Sequence, residues 1–204
     1  MSKGALFIIS APSGAGKTSL VKALRTQLDG LAVSVSHTTR TRRQGEEDGR
    51  DYHFVSTDVF TDMVETGQFL EYAQVFDNFY GTARASVEEA LSRKLDVILE
   101  IDWQGAQQIR KLMPACHSIF ILPPSRRALE VRLSSRGQDE PETIARRMAD
   151  AISEISHHDE FDYLVINDDF EEALFELRAI ILSERLKGKR QADRHQDLIT
   201  GLMA

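Results

Sequence analysis

The sequence predicts an α/β fold, a parallel sheet flanked by helices with an inserted mixed-β segment and a helical flap, and three observations carry that prediction. Apolar, β-rich runs at residues 5–10, 97–101, 118–122 and 163–166 are each followed by a helical pattern, and such alternation signals a parallel sheet covered by helices. A small-residue loop joins the first run to the first helix. The stretch from 34 to 80 breaks the rhythm with short β-like pieces (32–36, 52–55 and 69–75) around one helix at 58–66.

The first helix follows from Leu20, Leu24 and Leu28 at helical spacing, and the last from Phe170, Leu174, Leu177 and Ile181 on one face, with Asp168 or Asp169 as cap. Within the insertion, Gly67 fits the end of the 58–66 helix and Asp77-Asn78 fits a turn. Residues 137–141 separate two Arg-bearing helical segments and have the composition of a flap hinge. From Lys187 onward the chain reads as a poorly specified polar extension.

The 204 residues suit one domain, and 42% hydrophobic with 28% charged residues is the composition of a folded, soluble protein. Twenty-five Lys plus Arg stand against 32 Asp plus Glu, a formal charge of −7, so the surface at large should not attract nucleic acid. No apolar run reaches the length of a signal-peptide core or membrane span, and the lone Cys116 suits a reducing compartment. The expectation is a cytoplasmic protein without membrane or nucleic-acid partners and compatible with a homo-oligomer. The six histidines show no metal-ligand spacing.

The loop Ala11-Pro12-Ser13-Gly14-Ala15-Gly16-Lys17-Thr18 has the chemistry of a phosphate-binding loop. Small residues let backbone N–H groups point at phosphates and the following helix adds its positive end. Lys17 reaches the β- and γ-phosphates, Thr18 offers its hydroxyl to Mg²⁺, and Ser19 helps position the first turn. The pattern ordinarily begins with Gly; Ala11 is tolerable provided its φ stays negative.

Asp102 ends an apolar run, where ligands bind in open α/β sheets, and shares a side with Glu100; either carboxylate suits Mg²⁺, through water, or a substrate, and Asp102 equally suits a helix cap. The segment Ser36-His37-Thr38-Thr39-Arg40-Thr41-Arg42-Arg43, followed by Tyr52, concentrates hydroxyls and guanidiniums as an anion clamp would. Arg40, Arg42, Arg43 and Arg50 are offset by Glu46, Glu47, Asp48 and Asp51, so a small anion fits better than nucleic acid, and a solvated charged loop is the plain alternative. Arg132 and Arg136 share a helical face and Arg147 lies beyond the flap, placed either to meet a phosphate chain or to pair at the surface.

Together the phosphate loop with Ser10, Ser34-Val35-Ser36 and the arginine clamp, Asp51-Tyr52-His53-Phe54-Val55, Tyr80-Gly81-Thr82 and Ile98-Leu99-Glu100-Ile101-Asp102 resemble the guanylate kinase family, over residues 4–186. The resemblance implies a P-loop nucleoside monophosphate kinase fold: a core (4–33, 84–125 and 158–186), a GMP-binding subdomain (34–83), a lid (126–157) and an extension (187–204). It implies transfer of the ATP γ-phosphoryl group to GMP, and to dGMP, with Mg²⁺. By the same resemblance Arg40, Arg43, Tyr52 and Tyr80 hold the GMP phosphate. Ser36, Glu71, Thr82 and Asp102 hold guanine, and Asn167 lies near adenine. Lys17, Arg40, Arg132, Arg136 and Arg147 act in catalysis. The family often has Ser at Thr82, which keeps the hydroxyl and lacks the methyl. A non-catalytic scaffold domain, a kinase for another small acceptor and a GTPase are the rival readings. The intact loop and arginines argue against the first, the Ser36, Glu71 and Asp102 set against the second, and the absence of a guanine-specific motif on the triphosphate side against the third.

Overall fold

In the computed structural model, which describes residues 3–75, 77–134 and 141–204, the first apolar run is β1, Leu6–Ser10, and all five residues are buried. Phe7 and Ile9 pack with Leu20 and Leu24 of α1, Lys17–Gln27, and with Leu174, Leu177 and Ile181 of α7, Phe170–Arg185. Leu6 and Ile8 face the other way, onto Val87 and Leu91 of α3, Arg84–Ser92, and Ala106 and Ile109 of α4, Trp103–Leu112. A strand covered on both faces has to be apolar throughout, which is why this run shows no alternation.

The core sheet has five parallel strands in the order β2 (Leu31–Val33), β7 (Asp96–Glu100), β1, β8 (His117–Leu122) and β9 (Tyr163–Ile166). Ile8 stands beside Leu99 on one side and Ser118 on the other. Ser10 and Glu100 therefore end their strands at one edge of the sheet, the edge that holds ligands in open α/β folds. No described helix is long and apolar enough to cross a membrane.

A second, mixed sheet runs β4 (His53–Phe54), β3 (His37–Thr38), β6 (Asn78–Ala83), β5 (Phe69–Val75), with the first pair parallel and the others antiparallel. Between β4 and β5 lies α2, Thr57–Glu65, capped by the Ser56 hydroxyl and closed by Gly67 at φ +68. Its buried Phe60 stacks on Phe69 and Phe79, with ring centroids 4.6 and 5.5 Å away. The sequence grouped 32–36 as one piece of the insertion, whereas Leu31–Val33 pairs with β7 in the core and β3 begins at His37. The chain changes sheets between Ser34, whose N–H donates to Ile98 O, and Ser36, whose carbonyl accepts from His53 N. Asp77 lies in a turn, as expected, and Asn78 closes it by pairing with Val75.

Helices α5 (Arg126–Ser134) and α6 (Pro141–Ile155) pack through Leu129, Leu133, Met148 and Ala151. Of the expected flap hinge, residues 137–140 lie outside the described residues and Pro141 opens α6. The extension is not loosely specified: it forms α8, Gly188–Arg194, and α9, Gln196–Met203. Asp96, 3% exposed in its side chain, accepts from Ala5 N–H, Arg185 Nε and Arg190 Nη2, each at 2.7 Å. That buried pair ties α7 and α8 to the start of β7, and no local periodicity could announce a contact spanning about ninety residues.

Candidate active site

A cleft of about 300 Å³ opens at the carboxyl edge of the core sheet, between it and the mixed sheet. Ala11, Pro12, Ser13, Gly14, Gly16, Lys17, Thr18 and Ser19 line one wall, with Lys17 opening α1. Ala15 alone of the predicted loop is turned away: it is fully buried, and its carbonyl accepts from Asn167 Nδ2 at 2.6 Å. Gly14 and Gly16 lie at φ +89 and +95, where a side chain is strained. A Cβ on Gly16 would also come within 2.4 Å of Asn167 Nδ2. Lys94 is the one described non-glycine residue at positive φ, so Ala11 sits in ordinary backbone.

Ser36, Tyr52, Glu71, Tyr80, Glu100 and Asp102 line the opposite wall. Glu71 on β5 is 3% exposed, and the fully buried Thr82 on β6 donates its hydroxyl to Glu71 Oε1 at 2.6 Å. Burial pushes the Glu71 carboxyl up to about 7 against the pull of that hydrogen bond. Its other oxygen fits beside the backbone of Gly105, where an added Cβ would stand 2.4 Å from Oε2. Asp102 is the helix cap that the sequence allowed, Oδ1 accepting from Gly105 N–H at 2.9 Å at the start of α4, and the residue also lines the cleft. Tyr52 and Tyr80 meet edge-on, 6.0 Å between ring centroids, and burial pushes the Tyr52 hydroxyl up.

Other predicted site residues stand back from this lining. Arg40 is held by Glu46 at 2.7 Å, donates to Thr41 O, and lies over the Tyr52 ring at 5.4 Å. The hydrogen bond from Arg40 holds Glu46 below the usual carboxylate range. The Arg43 side chain is exposed, while its N–H donates to Glu46 Oε2. Arg132 Nη2 donates to Asn167 O at 2.9 Å, so Asn167, expected near adenine, buttresses the loop from below and links it to α5. Arg147 is half-buried on α6, and Arg136 lies outside the described residues.

Three contributors escaped the sequence. Glu46 counted only as an offsetting charge. Gly105, a glycine inside a helical pattern, was the legible signal of a close approach. Glu154, near the end of α6, enters the cleft and accepts from Ser13 N–H at 3.2 Å, and burial pushes its carboxyl up to about 7. Among the lining residues, Lys17 is the sole cation against Glu71, Glu100, Asp102 and Glu154. A second hollow, about 630 Å³, lies at the opposite edge around Asp96, but the acid at its centre is already paired with Arg185 and Arg190.

A glycine-bearing loop at the carboxyl edge of a parallel sheet thus faces, across one cleft, a buried carboxylate carried by a separate small sheet, an arrangement that suits a nucleotide kinase. The guanylate kinase family model matches residues 3–184, and the chain belongs to that family. Guanylate kinase of Methylococcus capsulatus is 60% identical with full coverage of both chains, and that of Saccharophagus degradans is 57% identical over 98% of each. The crystal structure of guanylate kinase from Anaplasma phagocytophilum superposes with a TM-score of 0.76 at 34% identity, covering 93% of this chain and 90% of that one.

Proposed function

We propose that the cleft carries out the family's reaction, ATP-dependent phosphorylation of GMP to GDP, with ATP on the loop wall and GMP on the Glu71 wall. The observation that carries this reading is the buried Glu71 carboxylate, buttressed by Thr82 and Gly105, across one cleft from Lys17. Guanine presents N1–H and N2–H side by side, and a carboxylate can accept both. Adenine offers an acceptor at N1 and leaves the carboxylate mismatched, so AMP is rejected. Ser36 and Asp102 flank the base, and Tyr52, Tyr80, Arg40 and Arg43 take the GMP phosphate. The phosphate draws Arg40 away from Glu46. The same pocket admits dGMP.

The transfer is in-line, from the γ-phosphorus to a GMP phosphate oxygen, and requires no general base. A phosphate monoester with a second pKa of about 6 is already largely dianionic at neutral pH. The obstacle is repulsion between polyanions. Lys17, the loop N–H groups and the arginines of the lid, Arg132, Arg136 and Arg147, neutralise the charge as it shifts. The described residues contain no cluster of three metal-ligating side chains. The site instead fits Mg²⁺ held chiefly by phosphate oxygens, with the Thr18 hydroxyl and, through water, Glu100 or Asp102. When bound, Mg²⁺ neutralises charge on the transferred group.

The division into core (4–33, 84–125, 158–186), GMP-binding subdomain (34–83) and lid (126–157) follows from the same reading, as does a cytoplasmic enzyme acting on two small nucleotides without nucleic acid or membrane, compatible with a homo-oligomer. ADP release from ATP, measured with GMP, AMP, CMP and UMP as separate acceptors, tests the assignment. GMP should be preferred over AMP by about 10³-fold or more. Turnover with AMP and none with GMP would overturn it.

A further inference from the structure

Glu154 closes the last turn of the helix that carries Arg147 two turns earlier, so its position reports where that helix sits. Its Oε2 accepts from Ser13 N–H at 3.2 Å. Loop N–H groups of this kind are aimed at phosphate oxygens. A side-chain carboxylate therefore holds a donor that an anionic ligand needs.

The surroundings sharpen the conflict. Lys17 of α1 faces Glu154 and favours its charge, while Asp102 at the start of α4 and Asp150 on its own helix oppose it. Glu71 and Glu100 line the same cleft from β5 and β7, and Arg132 of α5 directs Nη2 to Asn167 O instead. The triphosphate would add three to four negative charges beside a carboxylate at hydrogen-bond distance from the loop. Two like charges that close cannot share one N–H donor, so one must leave or be neutralised.

We propose that Glu154 is a tethered anion that holds a donor of the phosphate loop and is displaced by the ATP triphosphate, thereby weakening ATP binding and coupling loop occupancy to the position of α6. This rests on the loop being the ATP site. Glu154 partners Ser13 N–H and shares the charge of Lys17. On ATP binding it withdraws, and α6 is released to bring Arg147 toward the phosphates. Burial already pushes this carboxyl up to about 7, so the cost of displacing its charge grows as pH rises through neutrality.

The test compares the wild type with Glu154→Gln, which removes the charge and keeps the shape, and Glu154→Ala, which removes the occupant. ATP affinity is measured by titration calorimetry from pH 6 to 8, and the KM values for ATP and GMP at the same pH values. At pH 8 both variants should bind ATP about five-fold or more tightly than wild type, with the KM for GMP held within about two-fold. The advantage should shrink toward pH 6, where wild-type Glu154 is protonated. The ionisation of ATP itself is common to all three proteins and cancels in the ratio. Equal ATP affinity at pH 8, or weaker binding by Glu154→Gln, overturns the proposal, the latter because it would make Glu154 a support of the loop. Failure of the wild type to bind ATP would instead remove the assignment of the loop.

Discussion

The donor wall of the cleft, residues 11–19, to which we assign ATP, is made chiefly of backbone, and the acceptor wall, to which we assign GMP, is made of side chains. Along residues 11–19 the chain turns at two glycines with φ near +90° and enters α1, and Asn167 fixes the loop by one hydrogen bond to Ala15 O. On the acceptor wall, Ser36 and Tyr52 come from the residues just before β3 and β4, Glu71 and Tyr80 from β5 and β6 of the mixed sheet, and Asp102 from the cap of α4. Peptide N–H groups suit phosphate, which every nucleotide carries, whereas telling one base from another needs side chains of defined charge at defined points. The two walls should therefore respond separately to substitution.

The largest effect expected on the donor side is from Lys17→Met. Turnover should fall by about 10³-fold or more, because the cleft loses the one cation of its lining, while GMP affinity measured by direct titration stays within about two-fold. Loss of GMP binding as well would mean that the walls are not separable. The mirror experiment is Glu71→Gln. The amide turns an N–H₂ toward a base edge that itself donates, so kcat/KM for GMP should fall by about 10²- to 10³-fold with little change in the KM for ATP.

A smaller pair of effects comes from the two glycines that admit close neighbours. Gly16→Ala places a Cβ at φ +95 and 2.4 Å from Asn167 Nδ2, so the loop must shift. Gly105→Ala places one 2.4 Å from Glu71 Oε2. Each shift is a fraction of an ångström to an ångström, enough for about ten- to one-hundred-fold. Gly16→Ala should raise the KM for ATP and Gly105→Ala the KM for GMP. Steady-state kinetics with each substrate varied in turn checks the assignment, and crossed effects would break it.

That division also explains what the sequence disclosed. The donor wall is contiguous, so strand, loop and helix announce it within about twenty residues, and the order of apolar runs was enough to place β1, β7, β8 and β9 in a parallel sheet. The acceptor wall is dispersed, and Glu71, Tyr80 and Thr82 gained meaning only through resemblance to a family. What stayed hidden was pairing across long intervals: Asn167 with the loop, Glu154 at Ser13, and Asp96 with Arg185 and Arg190. None of these contacts has a period, and in each an ordinary polar residue acquires its role from a partner that only the fold supplies.

The mildest test uses pH alone and separates the walls by the sign of the response. If Glu71 takes guanine as proposed, the base's two N–H groups require it ionised, and burial pushes that carboxyl up to about 7, so GMP and a proton should compete. Between pH 6 and 8 the ionised fraction of a group titrating near 7 rises about ten-fold. The GMP phosphate, with a second pKa of about 6, contributes only about two-fold over the same range. The apparent KM for GMP should thus fall by about ten- to twenty-fold from pH 6 to 8 in the wild type and by about two-fold in Glu71→Gln. Stability runs the opposite way. A carboxyl raised from its ordinary 4.5 to about 7 on folding binds its proton more tightly in the folded state, so ionising it costs stability as pH rises through that window. The Tm of the substrate-free protein should fall from pH 5 to 8, and the rise in Tm given by saturating GMP should grow. Glu154 lies in the same pH window, so the part that vanishes in Glu71→Gln is the part that belongs to Glu71. A flat KM profile in the wild type would mean that the Thr82 hydroxyl holds Glu71 ionised despite its burial, and that the acceptor wall is set before the substrate arrives.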